Sequence, residues 1–385
     1  MRQTNSKGDS LYSLCIVCEG EATEPGFYKN YYEYIKKEYS PRYIIKVIPE
    51  PSTHEKNNKR TKRVTGNRNT NNSTIDTVER THINEPMPLN WVLEGIDQLD
   101  THNEVWVVFD KDGHPAVKEA FEKILSERER EKNIHLAFSS RCFEMFLLEH
   151  FEYNSTCFEK CECKIKINGK TVSLDCCSDS PKDGACNGDV CINGYARSKK
   201  YWDNSKNTDT FCYIDNIWRG IVNAHNLSWE SLANDHTTPI YERNPFLNTY
   251  LLSLRMIEIY PFRNIDTIVI PKGNKYSWKI SRNGNVLRLT NNSPLKWQID
   301  LNEMLKAYRV IPYGTKCSLR EMTSVAINFE PNRIEISPGK TYPIDLSPYQ
   351  ANVDFILLSI NNRIYFVGFE NSFENLEELS FVRLA

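Results

Sequence analysis

Glu104 to His114 reads EVWVVFDKDGH: the apolar run Val105–Phe109 passes straight into Asp110, Lys111 and Asp112. A short, unbroken apolar run that stops on charged residues reads as a strand buried on both faces, with its acids at the carboxyl end. Leu11 to Tyr28, LYSLCIVCEGEATEPGFY, has the same form, its apolar run ending on Glu19-Gly20. In open α/β sheets, ligand and catalytic sites lie beyond the carboxyl ends of such strands. If the two strands are neighbours, Glu19, Asp110 and Asp112 share one small volume. Three carboxylates that close repel one another unless a cation lies among them, and hard oxygen ligands favour Mg²⁺ or Mn²⁺. The expectation is a metal-dependent phosphoryl-transfer site.

Working outward, strand and helix patterns alternate. Glu24-Pro25 opens a helix with Phe27, Tyr28, Tyr31 and Ile35 on one stripe, since proline loses nothing in a first turn. Tyr43–Ile48 reads as a strand, and Leu89–Leu99 carries apolar residues at helical spacing. Helix Pro115–Arg130, strand Ile134–Phe138 and helix Cys142–His150 follow strand Val105–Phe109. This alternation predicts an α/β fold, a parallel sheet covered by helices, over residues 1–155. Residues 53–77 interrupt it with a polar, basic loop that includes Lys59, Arg60, Lys62 and Arg63. Residues 156–200 form a cysteine-rich insert. Residues 201–260 return to helical periodicity, with one helix through Ile214, Ile217, Trp218 and Ile221. A second is expected to start at Asn244-Pro245 and carry Leu247, Leu251, Leu254 and Ile257. Residues 261–385 break into short β-rich runs, which predicts an antiparallel sandwich or barrel. Asn283-Gly284 is read there as a hairpin turn, and Leu301–Tyr308 as a helix.

The chain has 385 residues and a net charge of −2, so it does not advertise nucleic-acid binding through bulk charge, although a local basic face is compatible with it. The polar start MRQTNSKGDS lacks the apolar stretch of a secretory signal, and no run is long enough to span a membrane. A cytoplasmic location is expected, and there the 12 cysteines read as thiols or metal ligands rather than disulfides.

CEGEATEPGFY, VWVVFDKDGH and IHLAFSSRCFEMFLLEHF, in that order, resemble the signature segments of the RloB-like family. That family belongs to the Toprim superfamily, so the resemblance implies a Toprim-like core over about residues 10–155. It implies that Glu19 is a metal ligand or general acid/base and that Asp110 and Asp112 hold Mg²⁺. Glu24 and Glu144 are implied as further carboxylates of the site. The implied activity is a Mg²⁺-dependent nuclease acting on DNA or RNA in prokaryotic antiviral defence, with a phage trigger or a defence-complex subunit as partner.

Each feature has a plainer reading. Singly, Glu19, Asp110 and Asp112 are ordinary strand-end acids; Glu24 caps a helix, and Glu144 suits a helix dipole. Lys111 is a phosphate-neutralising group or a solvated lysine, and His114 a proton shuttle or a residue flanking the next helix. The basic loop contacts nucleic acid only if it lies over the acids. Cys157, Cys161, Cys163, Cys176, Cys177, Cys186 and Cys191 supply enough thiols for a structural Zn²⁺, or for a redox-sensitive loop. Cys15 and Cys18 read as core packing. Beside the nuclease stand two rivals: a non-catalytic subunit that senses a nucleotide or partner, and a purely structural subunit.

Overall fold

The first half of the chain folds as its alternating periods dictate. The computed structural model describes residues 12–50, 82, 84–111, 113–159, 163–167, 170–174, 191–201, 213–235, 237–261, 267–272, 276–294, 296–309, 323–325, 329–360 and 363–368. The elements of this half are β1 (Tyr12–Cys18), α1 (Thr23–Glu38), β2 (Tyr43–Ile48), α2 (Leu89–Gln98), β3 (Glu104–Asp110), α3 (Val117–Glu129), β4 (Ile134–Ser140) and α4 (Phe143–Glu149). Then come the hairpin β5 (Cys163–Ile167) and β6 (Lys170–Leu174), α5 (Ile192–Ser198), α6 (Ile217–Asn234), β7 (Phe246–Leu247), α7 (Tyr250–Met256) and β8 (Ile259–Pro261).

The main sheet has the order β2-β1-β3-β4-β7, parallel except for β7. Strand β3 is buried along its whole length, which is why its sequence is continuously apolar rather than alternating. Each fully buried valine, leucine or phenylalanine in this layer contributes about 1.5–3 kcal/mol. Cys15 and Cys18 are part of that core, as their positions in the strand suggest. At the amino ends of the strands, Glu104 accepts hydrogen bonds from Arg255 at 2.8 Å, Trp106 Nε1 at 2.7 Å and the Tyr12 hydroxyl at 3.0 Å. That network clips α7 to one end of the sheet and leaves the carboxyl ends for chemistry.

The C-terminal region contains β9 (Thr267–Lys272), β10 (Tyr276–Asn283), β11 (Val286–Asn291), β12 (Trp297–Asp300), α8 (Leu301–Met304), β13 (Leu305–Arg309), β14 (Thr323–Val325), β15 (Arg333–Ile336), β16 (Thr341–Asp345), β17 (Phe355–Ile360) and β18 (Arg363–Gly368). One sheet runs β16-β11-β10-β9, another β14-β13-β17-β18-β8, and β12 pairs with β15. All these pairings are antiparallel except β8 with β18. Ile280, Leu289, Ile334, Ile344, Ile356 and Leu358 belong to its own apolar core. Trp218 of α6 stacks on Phe355 at 4.9 Å, so the region also packs on the α/β unit.

Three local expectations are corrected. No helix begins at Asn244-Pro245: Phe246 and Leu247 instead pair with Ser140 and Ser139, and α7 starts only at Tyr250. The Asn248 amide donates to the Phe138 carbonyl at 3.0 Å, so pairing with β4 takes the backbone groups a helix would need. Leu301–Tyr308 is helical only to Met304, because Leu305–Tyr308 pair with Leu358–Phe355 of β17. The hairpin turn is Gly284-Asn285, one residue later than read, with Asn283 opposite Val286 and Gly284 at φ +56°.

Candidate metal centre

Glu19 follows β1 without a break in the ladder. Its amide donates to the Val108 carbonyl at 2.9 Å, which holds it against the end of β3. From there Glu19 Oε2 accepts the Asp110 amide at 3.0 Å. The Asp110 carboxylate turns toward the next strand end, where Oδ2 accepts the Phe143 amide at 3.3 Å at the start of α4. Two residues far apart in sequence thus meet because their strands are sheet neighbours with acids at the same end.

His114 completes the group. Gly113 adopts φ +80°, a left-handed conformation that glycine takes without penalty. The His114 amide closes the turn on the Lys111 carbonyl at 3.0 Å. The chain therefore folds back after β3, and His114 Nε2 lies 2.5 Å from Glu19 Oε1. Trp91 of α2 packs edge-on against the imidazole, with ring centroids 5.9 Å apart. Glu19, Asp110 and His114 each present one ligand atom, all within 4.8 Å of one another.

The acids open into a cavity of about 350 Å³, lined by Glu19, Gly20, Glu24, Asp110, Arg141, Cys142 and Glu144 among others. Glu24 belongs to the first turn of α1 and is buried. Its carboxylate lies so close over Gly20 that a β-carbon there would collide with it. Glu144 occupies the first turn of α4. Burial raises the Cys18 thiol well above its ordinary range, and the Glu24 charge adds to that, so Cys18 stays protonated.

A family model described as RloB-like protein matches residues 14–252. The chain belongs to the RloB-like family. No curated protein and no solved structure matches it. The matched span contains every residue that lines the cavity and stops before the C-terminal sheets.

In this RloB-like chain the structure brings together four of the carboxylates singled out in the sequence: Glu19, Glu24, Asp110 and Glu144. Asp112 lies outside the described residues. Lys111 does not line the cavity; its ammonium donates to the Glu242 carbonyl at 2.6 Å. Burial lowers its pKa, the Glu242 charge opposes that, and the nearby Arg141 guanidinium lowers it further. Lys59, Arg60, Lys62 and Arg63 lie outside the described residues, as do Cys161, Cys176, Cys177 and Cys186. Cys157 is exposed and donates to the Asn244 carbonyl at 3.0 Å, Cys191 is buried in the cavity wall, and Cys163 opens β5. Among the described residues, no cysteine belongs to a three-ligand cluster.

Sequence reasoning did not place His114 among the ligand atoms or Arg141 in the cavity wall. For His114 a signal was present: a glycine directly before a histidine, just past a strand end, permits the reversal that returns the ring to the acids. Arg141 carries no comparable pattern.

Proposed function

We propose that this RloB-like protein is a divalent-metal-dependent nuclease that hydrolyses phosphodiester bonds in DNA or RNA. The observation that carries the reading is the convergence of Glu19 and Asp110 with His114 at the carboxyl ends of adjacent strands, the two carboxylates also lining a cavity. The donor set, two carboxylates and an imidazole, fits Mg²⁺ or Mn²⁺. Glu19, Asp110 and His114 would hold the ion. Once bound, it supplies positive charge to a phosphate and makes water a better nucleophile near neutral pH.

The protein's own groups do the rest. Arg141 offers a guanidinium fork to phosphate oxygens in a cavity otherwise rich in carboxylates. Glu24 and Glu144, on the first turns of α1 and α4, are proton acceptors within the same space. Placing the sheet in the Toprim superfamily is part of this proposal, supported by Glu19 closing β1 and Asp110 closing its neighbour β3. So is a role in antiviral defence, with an invader-derived trigger or a partner subunit engaging the C-terminal sheets.

The test is cleavage of DNA and RNA panels with Mg²⁺ and with Mn²⁺, wild type against Asp110→Asn. Metal-dependent cleavage by wild type that drops at least about a hundredfold in the variant is expected for loss of a group acting on the transition state. Equal cleavage by the two proteins, or none by either, ends the proposal.

A further inference from the structure

The donors of the Glu19, Asp110 and His114 cluster are not all oxygen, and that difference carries information about the cation. We infer that His114 is a direct nitrogen ligand and that it shifts the site's preference from Mg²⁺ toward Mn²⁺; this rests on the metal-site reading above. Mg²⁺ demands oxygen ligands in a near-ideal octahedron and gives up water reluctantly. An imidazole nitrogen suits later first-row ions better, and affinity for such a donor rises from Mn²⁺ onward. Replacing one oxygen of a carboxylate site by imidazole therefore penalises Mg²⁺ relative to Mn²⁺.

The geometry places the ring nitrogen among the ligand atoms. His114 Nε2 is the ring atom that faces Glu19 Oε1, at 2.5 Å, and it belongs to the same 4.8 Å cluster as the Asp110 carboxylate. The ring is held before any ion arrives. Trp91 packs on it in a T-shaped contact, and the Gly113 turn sets its backbone. Its side chain is only 16 % exposed, as is that of Glu19. A ring fixed in this way loses little conformational freedom on binding.

The rival role is positioning: His114 would merely orient Glu19 by hydrogen bonding, as outer groups do around metal ligands. The two roles differ in what they change. A positioning residue weakens both ions alike when removed, whereas a ligand changes their ratio.

The experiment is calorimetric titration of the full-length protein with MnCl₂ and with MgCl₂, wild type against His114→Asp and His114→Asn. It is paired with pulsed electron paramagnetic resonance of the Mn²⁺-loaded wild type carrying ¹⁴N- or ¹⁵N-histidine. The expected result is a fall of at least about fivefold in the Mn²⁺-to-Mg²⁺ affinity ratio in His114→Asp, with the oxygen donor restoring Mg²⁺ binding. A directly coordinated histidine nitrogen should appear in the wild-type spectrum and change with the isotope. An unchanged ratio, or a wild-type spectrum without histidine nitrogen, overturns the inference and leaves the metal site standing. Failure of the wild type to bind either ion overturns both. The spectrum of the wild type decides the matter even if the variants fail to fold.

Discussion

His114 and Glu19 lie 95 residues apart in sequence, and their side chains meet at 2.5 Å. The contact is made by two local events: β1 ends in register with β3, and the chain reverses through Gly113 immediately after β3. Neither event involves the bulk of the intervening sequence. The contact is therefore sensitive to a single backbone position.

Gly113→Ala tests that dependence. Among the described residues, chain neighbours aside, no atom lies within 4 Å of the position a β-carbon would take, so the cost is conformational rather than steric crowding. A left-handed alanine costs about 1–2 kcal/mol. The chain can escape that cost by leaving φ +80°, and this would carry His114 away from Glu19. The expected outcome is a Tm lowered by a few degrees, about 2–4 °C per kcal/mol, with Mn²⁺ affinity reduced at least about tenfold. Thermal melts and calorimetry on one sample check both. Full Mn²⁺ affinity would mean that the turn does not set the site.

Gly20 makes a different demand. A side chain there strikes the Glu24 carboxylate, the far end of a flexible side chain, so Gly20→Ala is expected to fold and to displace Glu24 from the cavity wall. Metal-dependent cleavage should fall by about tenfold or more, as expected when a cavity group is misplaced. Combined with Glu24→Ala, Gly20→Ala should add little further loss, because both changes act on one carboxylate. Additive losses in the double-mutant cycle would show that Gly20 serves something other than Glu24.

What the sequence revealed and what it hid divide along physical lines. The strands β1, β3 and β4 were legible because burial on both faces leaves a continuous apolar run, a local signal. The meeting of Glu19 and Asp110 was legible one step further, from the rule that parallel strands end together. Phe246-Leu247 was not, because a two-residue strand has no periodicity and exists only through its bonds to Ser139 and Ser140. Leu301, Met304, Leu305 and Tyr308 fall at helical spacing, yet pairing of Leu305–Tyr308 with β17 prevailed over that local pattern. The place of Arg141 in the cavity wall depends on the turn from β4 into α4, which no spacing encodes.

Two buried histidines, His150 and His225, and the partly buried His135 predict how stability depends on pH. Burial pulls His135 down to about 4 against the opposing charge of Glu104, and burial alone dominates at His150, also about 4. His225 falls to about 3 through burial and then the nearby Arg282 charge. Each is neutral in the folded protein, while the unfolded chain takes up a proton near pH 6.5. Their contribution is complete above about 6.5 and is lost as pH falls toward 4, at up to about 1.4 kcal/mol per pH unit per histidine. Urea midpoints should decline as pH falls from about 6.5 to 5, against the opposing contribution of Glu149, and His225→Asn should make that decline shallower. A flat profile over this range would contradict neutral, buried rings.

Glu149 reverses that sign. It is fully buried on α4, with Oε1 accepting the Asn154 amide at 3.3 Å and Oε2 without a hydrogen-bond partner among the described residues. Burial raises its pKa well above the ordinary carboxylate range, and the neighbouring Glu152 charge pushes the same way. The folded protein therefore holds a proton that the unfolded chain releases above its own pKa, near 4.5. This costs nothing in acid and progressively more as pH rises. Glu149→Gln keeps an oxygen for the Asn154 amide and removes the titration. It should raise the melting temperature at pH 7.5, by about 2–4 °C for each kcal/mol regained, and leave it nearly unchanged at pH 4. Glu149→Ala provides the contrast, since it opens a cavity in the core and should destabilise at both pH values. A gain from glutamine that is the same at pH 4 and pH 7.5 would show that packing, not a trapped proton, distinguishes the two side chains.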